Sequence, residues 1–107
     1  KLVGRTVRAP VNHTSYVTCS FEVDNRIEED SILGCLTSTS ITPTVLGVDI
    51  EPLVSSDYVT DPRSCVIDGT SIRVIDGCTL LISAWYNNEY AFASRMVDIA
   101  NRISQTI

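Results

Sequence analysis

A run of β-branched and apolar residues from Ser64 to Ile75, the dipeptide Asp76-Gly77 and a second apolar run from Thr79 to Trp85 constrain this chain more than any other feature. Asp-Gly between two strand-like runs favours a left-handed turn that matches strand twist, so the pair is predicted to form a β-hairpin. Upstream, Val17, Cys19, Phe21 and Val23 alternate with Thr18, Ser20 and Glu22, the period-two pattern of a strand with one buried face. Leu2 to Arg8 reads as an earlier strand stopped by Pro10, which has no N–H for a ladder. Thr44 to Val48 and Leu53 to Val59 read as short strands or extended loops, followed by a turn at Asp61-Pro62.

Two helices are predicted. Glu28, Glu29 and Asp30 place negative charge at the start of a segment whose Ile32, Leu33 and Leu36 share a face, giving a short helix from Glu28 to Thr37. It gives way to a Ser/Thr-rich tract from Thr37 to Thr44, whose side chains compete for the backbone. Near the end, Phe92, Met96, Ile99 and Ile103 recur at helical spacing, opposed by Arg95, Asp98 and Arg102. Asn88 is placed as the N-cap of this helix, with Glu89 near its positive end. Strands joined by tight turns, with two helices to cover a face, imply an α+β fold on a mainly antiparallel sheet.

A length of 107 residues fits one domain or a piece of one, and 44% hydrophobic with 20% charged residues lies in the globular range. The net charge of −5 argues against nucleic acid and acidic membrane partners, which reward clustered Lys and Arg. No apolar run approaches the roughly 20 residues that span a bilayer, and no signal peptide is recognisable, so a cytoplasmic location is expected. The first residue is Lys1, and the chain is read as a fragment of a longer protein. Cys19, Cys35, Cys65 and Cys78 form no C-x-x-C pair and have no His at ligand spacing; they are expected to be reduced and mostly buried, with no metal bound.

Residues that could carry chemistry are few. His13 is the one histidine, so any acid–base or Cys-His scheme must run through it, yet its place between two strands reads as surface. Asn12-His13-Thr14 matches a glycosylation triplet that matters only in the secretory route. The five glycines are scattered without a phosphate-loop spacing. Trp85-Tyr86-Asn87-Asn88-Glu89 sets two amides and a carboxylate at a strand-to-helix junction, a common place for ligand contacts, although an aromatic plug followed by a cap is the favoured reading of these residues taken by themselves.

Three stretches together point to a family. Lys1-Leu2-Val3-Gly4 with Arg8-Ala9-Pro10-Val11 resembles the K-L-x-G-x-x-x-R-V-P-V segment of phosphorylating glyceraldehyde-3-phosphate dehydrogenases. Leu46-Gly47, then Pro52-Leu53-Val54-Ser55-Ser56-Asp57-Tyr58, is similar to the family's L-G-Y-x-x-x-P-L-V-S-S-D-F. Trp85-Tyr86-Asn87-Asn88-Glu89, followed by Arg95 and Asp98, resembles W-Y-D-N-E-x-G-Y-x-x-R-x-x-D. The resemblance covers the whole chain and implies the C-terminal portion of the family's catalytic domain, residues 1–107, without the Rossmann domain and the nucleophile-bearing segment.

In that family a cysteine attacks the aldehyde, a histidine assists, hydride passes to NAD or NADP, and inorganic phosphate releases the acyl group. The resemblance places both the nucleophile and that histidine in a segment preceding Lys1; none of the four cysteines, and not His13, matches them. It maps Arg8 onto the arginine that binds substrate phosphate or inorganic phosphate, a task suited to a permanently charged planar fork. It maps Asn88 onto the asparagine that holds the nicotinamide carboxamide, using an amide that both donates and accepts. Phe92 stands at the family's tyrosine near the nicotinamide, Asn87 replaces the usual Asp, and Ala91 the usual Gly. The turn from Asp24 to Ile27 is two residues shorter than in common members. The run Asp61-Pro62-Arg63-Ser64 with Val66-Ile67-Asp68-Gly69-Thr70 also looks like erythrose-4-phosphate dehydrogenase. A phosphorylated aldehyde, inorganic phosphate and further copies of the same chain are the expected partners. A shortened, non-catalytic domain used for binding or assembly is the alternative.

Overall fold

The structure, a computed structural model, describes residues 2–38 and 43–107. Chain order is β1 (Ser15–Glu22), α1 (Glu29–Ser38), β2 (Leu46–Asp49), a 3-10 turn (Ser55–Tyr58), β3 (Cys65–Asp68), a second 3-10 turn (Gly69–Ser71), β4 (Arg73–Ile75), β5 (Thr79–Tyr86) and α2 (Tyr90–Thr106). The sheet runs β1-β5-β3-β2, with β4 also on β5. Among the described residues only β2 and β3 pair in parallel; the other pairings are antiparallel, as expected for the α+β class.

β5 organises the sheet. All of β1 lies along one of its edges, from Ser15 opposite Tyr86 to Glu22 opposite Thr79. Its other edge is shared: β3 pairs at Ala84 and Trp85, and β4 pairs from Thr79 to Leu81. The predicted hairpin forms between β4 and β5, but only Arg73–Ile75 of the Ser64 to Ile75 run takes part, because the 3-10 turn at Gly69–Ser71 divides that run into β3 and β4. Asp76 and Gly77 both take positive φ, 52° and 73°, and the Cys78 N–H closes the turn on the Ile75 carbonyl at 3.1 Å. Gly77 is required twice here, because a Cβ would also crowd the Arg26 guanidinium at 2.9 Å.

The period-two pattern sorts the sheet into two faces. On one, Ile67, Leu80 and Ala84 join Ile72 in the buried core, covered by Ile32, Leu33 and Leu36 of α1. α1 begins and ends one residue later than expected, and the Ser/Thr-rich tract that follows falls partly on residues 39–42, outside the described residues. The opposite face is more polar: Thr18 and Ser83 share a hydrogen bond of 2.9 Å, and Tyr58 and Arg63 pack towards Asp49.

Five expectations are corrected. Leu2 to Arg8 forms no strand: residues 2–14 are irregular, no described strand lies beside them, and Leu2 is 99% exposed. The apolar residues of β1 are not buried, because α1 covers the middle of the sheet and leaves Val17 and Phe21 half-exposed at its edge. Leu53 to Val59 folds around a 3-10 turn, its local ring closed by the Val54 N–H donating to the Asp57 carboxylate at 2.8 Å. The apolar stripe of α2 forms as predicted but faces outward, with Phe92 65% and Ile103 56% exposed; Ala91 is the buried residue of this helix. The cysteines are less buried than expected: Cys19, Cys65 and Cys78 are only half-buried and Cys35 is exposed. No described helix is long and apolar enough to cross a membrane.

Candidate functional site

At the end of the sheet where β1 starts and β5 stops, a cleft of about 860 Å³ opens between the irregular segment 5–14 and the β5–α2 junction. Arg5, Arg8 and His13 line it from one side, and Trp85, Asn88 and Glu89 from the other. Arg8 and Asn88, far apart in sequence, therefore share one cavity.

The arginine side is held by a few contacts. The Thr14 hydroxyl, buried, donates to the Ser55 carbonyl at 3.1 Å and ties the end of the segment to the 3-10 turn. The Val11 N–H donates to the Ala9 carbonyl at 2.8 Å, bending the chain at Pro10. His13 adopts φ 61°, a left-handed conformation uncommon for a residue with a Cβ, as the segment turns into β1. Among the described residues, neither Arg5 nor Arg8 has a hydrogen-bond or ion-pair partner, and both are exposed. Arg63 and Arg95, by contrast, are committed to carboxylates, with contacts of 2.6 Å to Asp61 and 2.8 Å to Asp98.

The opposite side turns on the two adjacent asparagines: Asn88 is not the cap of α2, whose flanking residue is Glu89 without a capping side chain of its own, and the capping bonds come from Asn87. Asn87, 6% exposed, accepts from the N–H groups of Glu89 and Tyr90 at 2.9 and 2.8 Å, while its Nδ2 donates to the Val59 carbonyl at 2.9 Å. It thus makes the i+2 and i+3 bonds of an N-cap residue and anchors the junction. Side chains alternate as β5 ends, so the inward position falls on Asn87 and the outward one on Asn88. Asn88 is exposed to the cleft and spends neither of its amide groups on the cap.

Trp85 forms part of the wall, and a polar network fixes its ring. Its centroid lies 4.4 Å from that of Tyr16 and 5.6 Å from that of Tyr58, the latter stacked at 17°. Tyr16 donates to Asp68 at 2.9 Å, and Tyr58 to Asp49 at 3.1 Å. Asp49 also meets Arg63 at 3.4 Å, and Arg63 grips Asp61 through Nε and Nη2. Burial, reinforced by the hydrogen bond to the Asp49 carboxylate, raises the Tyr58 pKa strongly and keeps the phenol neutral. The hydrogen bond from Arg63 lowers that of Asp61. Gly47 makes room for the network, since a Cβ there would collide with the Arg63 guanidinium. Burial raises the Cys65 thiol, away from the thiolate character a nucleophile needs.

Arg8 and Asn88, the two residues mapped from the resemblance, fall in one cleft lining, and His13 is exposed, as its place in the sequence suggested; the sequence reading missed Arg5 and the anchoring role of Asn87. Arg5 had a signal, a second guanidinium three residues before Arg8.

The fold is an α+β domain on a mainly antiparallel sheet, with a cleft at one end of the sheet beside the strand-to-helix junction. Residues 1–88 match the model of the glyceraldehyde 3-phosphate dehydrogenase C-terminal domain. The chain belongs to the glyceraldehyde-3-phosphate dehydrogenase family. It is 37% identical, along its entire length, to glyceraldehyde-3-phosphate dehydrogenase 3 of Nostoc sp., of which it covers 33%. The glyceraldehyde-3-phosphate dehydrogenase of Zymomonas mobilis is likewise 37% identical over the entire chain, again with 33% of the relative covered. Glyceraldehyde-3-phosphate dehydrogenase 2 of Staphylococcus aureus is 30% identical over 96% of the chain, which covers 30% of it. The chain therefore spans about a third of the length of the relatives it matches.

Proposed function

We propose that this chain is the C-terminal portion of the catalytic domain of an NAD(P)-dependent phosphorylating aldehyde dehydrogenase, and that it forms the phosphate-binding and nicotinamide-facing walls of the active site. The observation that carries this reading is the shared cleft: Arg8, with no partner, and Asn88, free of capping duty, line one cavity.

Arg8 binds the phosphate of the aldehyde or the incoming inorganic phosphate by paired N–H donors, for which an exposed, uncommitted guanidinium is suited. Asn88 fits a nicotinamide carboxamide because its amide offers one acceptor and two donors, and Asn87 holds the backbone that presents it. When bound, the nicotinamide accepts the hydride lost by the substrate. Asn88 orients the ring, Arg8 orients the phosphate, and Trp85 keeps the wall between them rigid. The cysteine that forms the thioester and its partner histidine belong to the family segment preceding these residues, and so does the Rossmann domain that binds most of the cofactor. Glyceraldehyde 3-phosphate is the substrate on this reading, with 1,3-bisphosphoglycerate the product; erythrose 4-phosphate is the alternative that Asp61 to Thr70 brings to mind. The reaction runs in the cytoplasm, in an assembly of identical chains.

In the protein that carries this chain, Arg8→Ala raises the KM for inorganic phosphate or for the aldehyde at least tenfold, the loss of one charge-assisted contact. Both KM values unchanged would remove Arg8 from the site. Light scattering of the same protein tests the assembly.

A further inference from the structure

The cleft carries more positive charge than a single phosphate-binding arginine requires. Arg5 lines it together with Arg8. Three residues along an extended chain reach at most about 10 Å, so one small anion can lie within reach of both guanidinium groups. Neither is neutralised by another described residue, and the one carboxylate in the lining is Glu89. Arg8 with Glu89 alone would leave the cleft at zero formal charge, with the attraction of an anion for one balanced by repulsion from the other. Arg5 shifts the balance to +1, or to +2 when His13 is protonated. The hydroxyls of Thr6 and Ser55, also in the lining, add neutral donors.

We infer that Arg5 is a second anion-binding residue of this cleft and determines its preference for a dianion, such as a phosphate monoester or inorganic phosphate, over a monoanion such as a carboxylate. The inference rests on the assignment of Arg8 to phosphate. A dianion gains from each added positive charge twice what a monoanion gains, so removal of Arg5 weakens phosphate selectively.

The test is a titration of the 107-residue chain with inorganic phosphate at pH 8, and separately with acetate, followed by amide chemical shifts of residues 5–15. Unchanged shifts outside this segment establish that each variant is folded. Arg5→Gln is expected to weaken phosphate about fivefold and acetate about twofold, the square root of that factor, a size set by partly screened surface charges. Arg8→Gln weakens phosphate at least about tenfold. Arg26→Gln, which removes an equal charge beside Gly77 and outside the cleft lining, changes it less than about twofold. Unaltered phosphate binding in Arg5→Gln, with Arg8→Gln weakened, overturns the inference and leaves the Arg8 assignment standing. Equal losses in Arg5→Gln and Arg26→Gln, or equal losses of phosphate and acetate in Arg5→Gln, also overturn it by showing bulk electrostatics. Phosphate binding untouched by Arg8→Gln overturns the assignment of Arg8 itself.

Discussion

Replacing Asn87 by Ala removes three hydrogen bonds at once, and the structure allows the cost to be apportioned. The two bonds accepted from Glu89 and Tyr90 constitute a helix cap, whose loss costs about 1 kcal/mol, with a range of about 0.5–2. The bond donated to the Val59 carbonyl is made by a buried side chain and adds about 1 kcal/mol. The sum is about 2 kcal/mol, with a range of about 1.5–3. With a urea m-value of about 1.5 kcal/mol/M for a chain of this size, the unfolding midpoint falls by about 1–2 M. Asn88→Ala, at an exposed residue outside the cap, changes stability by less than about 0.5 kcal/mol. Asn87→Asp lies between, at about 1 kcal/mol: a carboxylate keeps both accepted bonds beside the positive helix end but cannot donate to Val59. Urea denaturation of the three variants, followed by the fluorescence of Trp85, decides the matter. A larger loss in Asn88→Ala than in Asn87→Ala would refute the assignment of the cap, and with it the reason Asn88 is free to meet a ligand.

Two further outcomes follow from the same geometry. Arg63 holds the Asp61 carboxyl below its ordinary range, so the ionised form is favoured in the folded chain. Stability from this group is present above the unfolded Asp pKa of about 3.9 and is lost as pH falls through the lower folded value. Asp61→Asn should abolish that part of the acid sensitivity in urea midpoints measured from pH 5 down to pH 2; an identical acid slope would argue against it. On α2, Met96→Lys places a charge on an outward stripe, and the melting temperature of the chain should move by less than about 4 °C. A drop of more than about 10 °C would mean that the stripe is packed in solution.

Local chemistry made some of this legible in the sequence. Asp76-Gly77 specifies two consecutive left-handed residues whatever surrounds them, and the hairpin forms there. Glu29 and Asp30 at a helix start, followed by Ile32, Leu33 and Leu36, depend only on period and dipole, and α1 agrees to within a residue at each end. Leu2 to Arg8 failed for the opposite reason: a strand needs a neighbour to accept its hydrogen bonds, and the described residues supply none. The cap was misplaced because adjacent asparagines have the same intrinsic preference, and only packing against Val59 selects Asn87.

The residue pattern alone determined which segments could be strand or helix and where the tight turn falls, and the family resemblance singled out Arg8 and Asn88 as side chains to hold a phosphate and an amide. Tertiary structure decided which of those side chains are free to do so. Whether a guanidinium is spent on a carboxylate, like that of Arg63, or left open in a cleft, like that of Arg8, depends on groups brought together across tens of residues. No local propensity encodes that proximity.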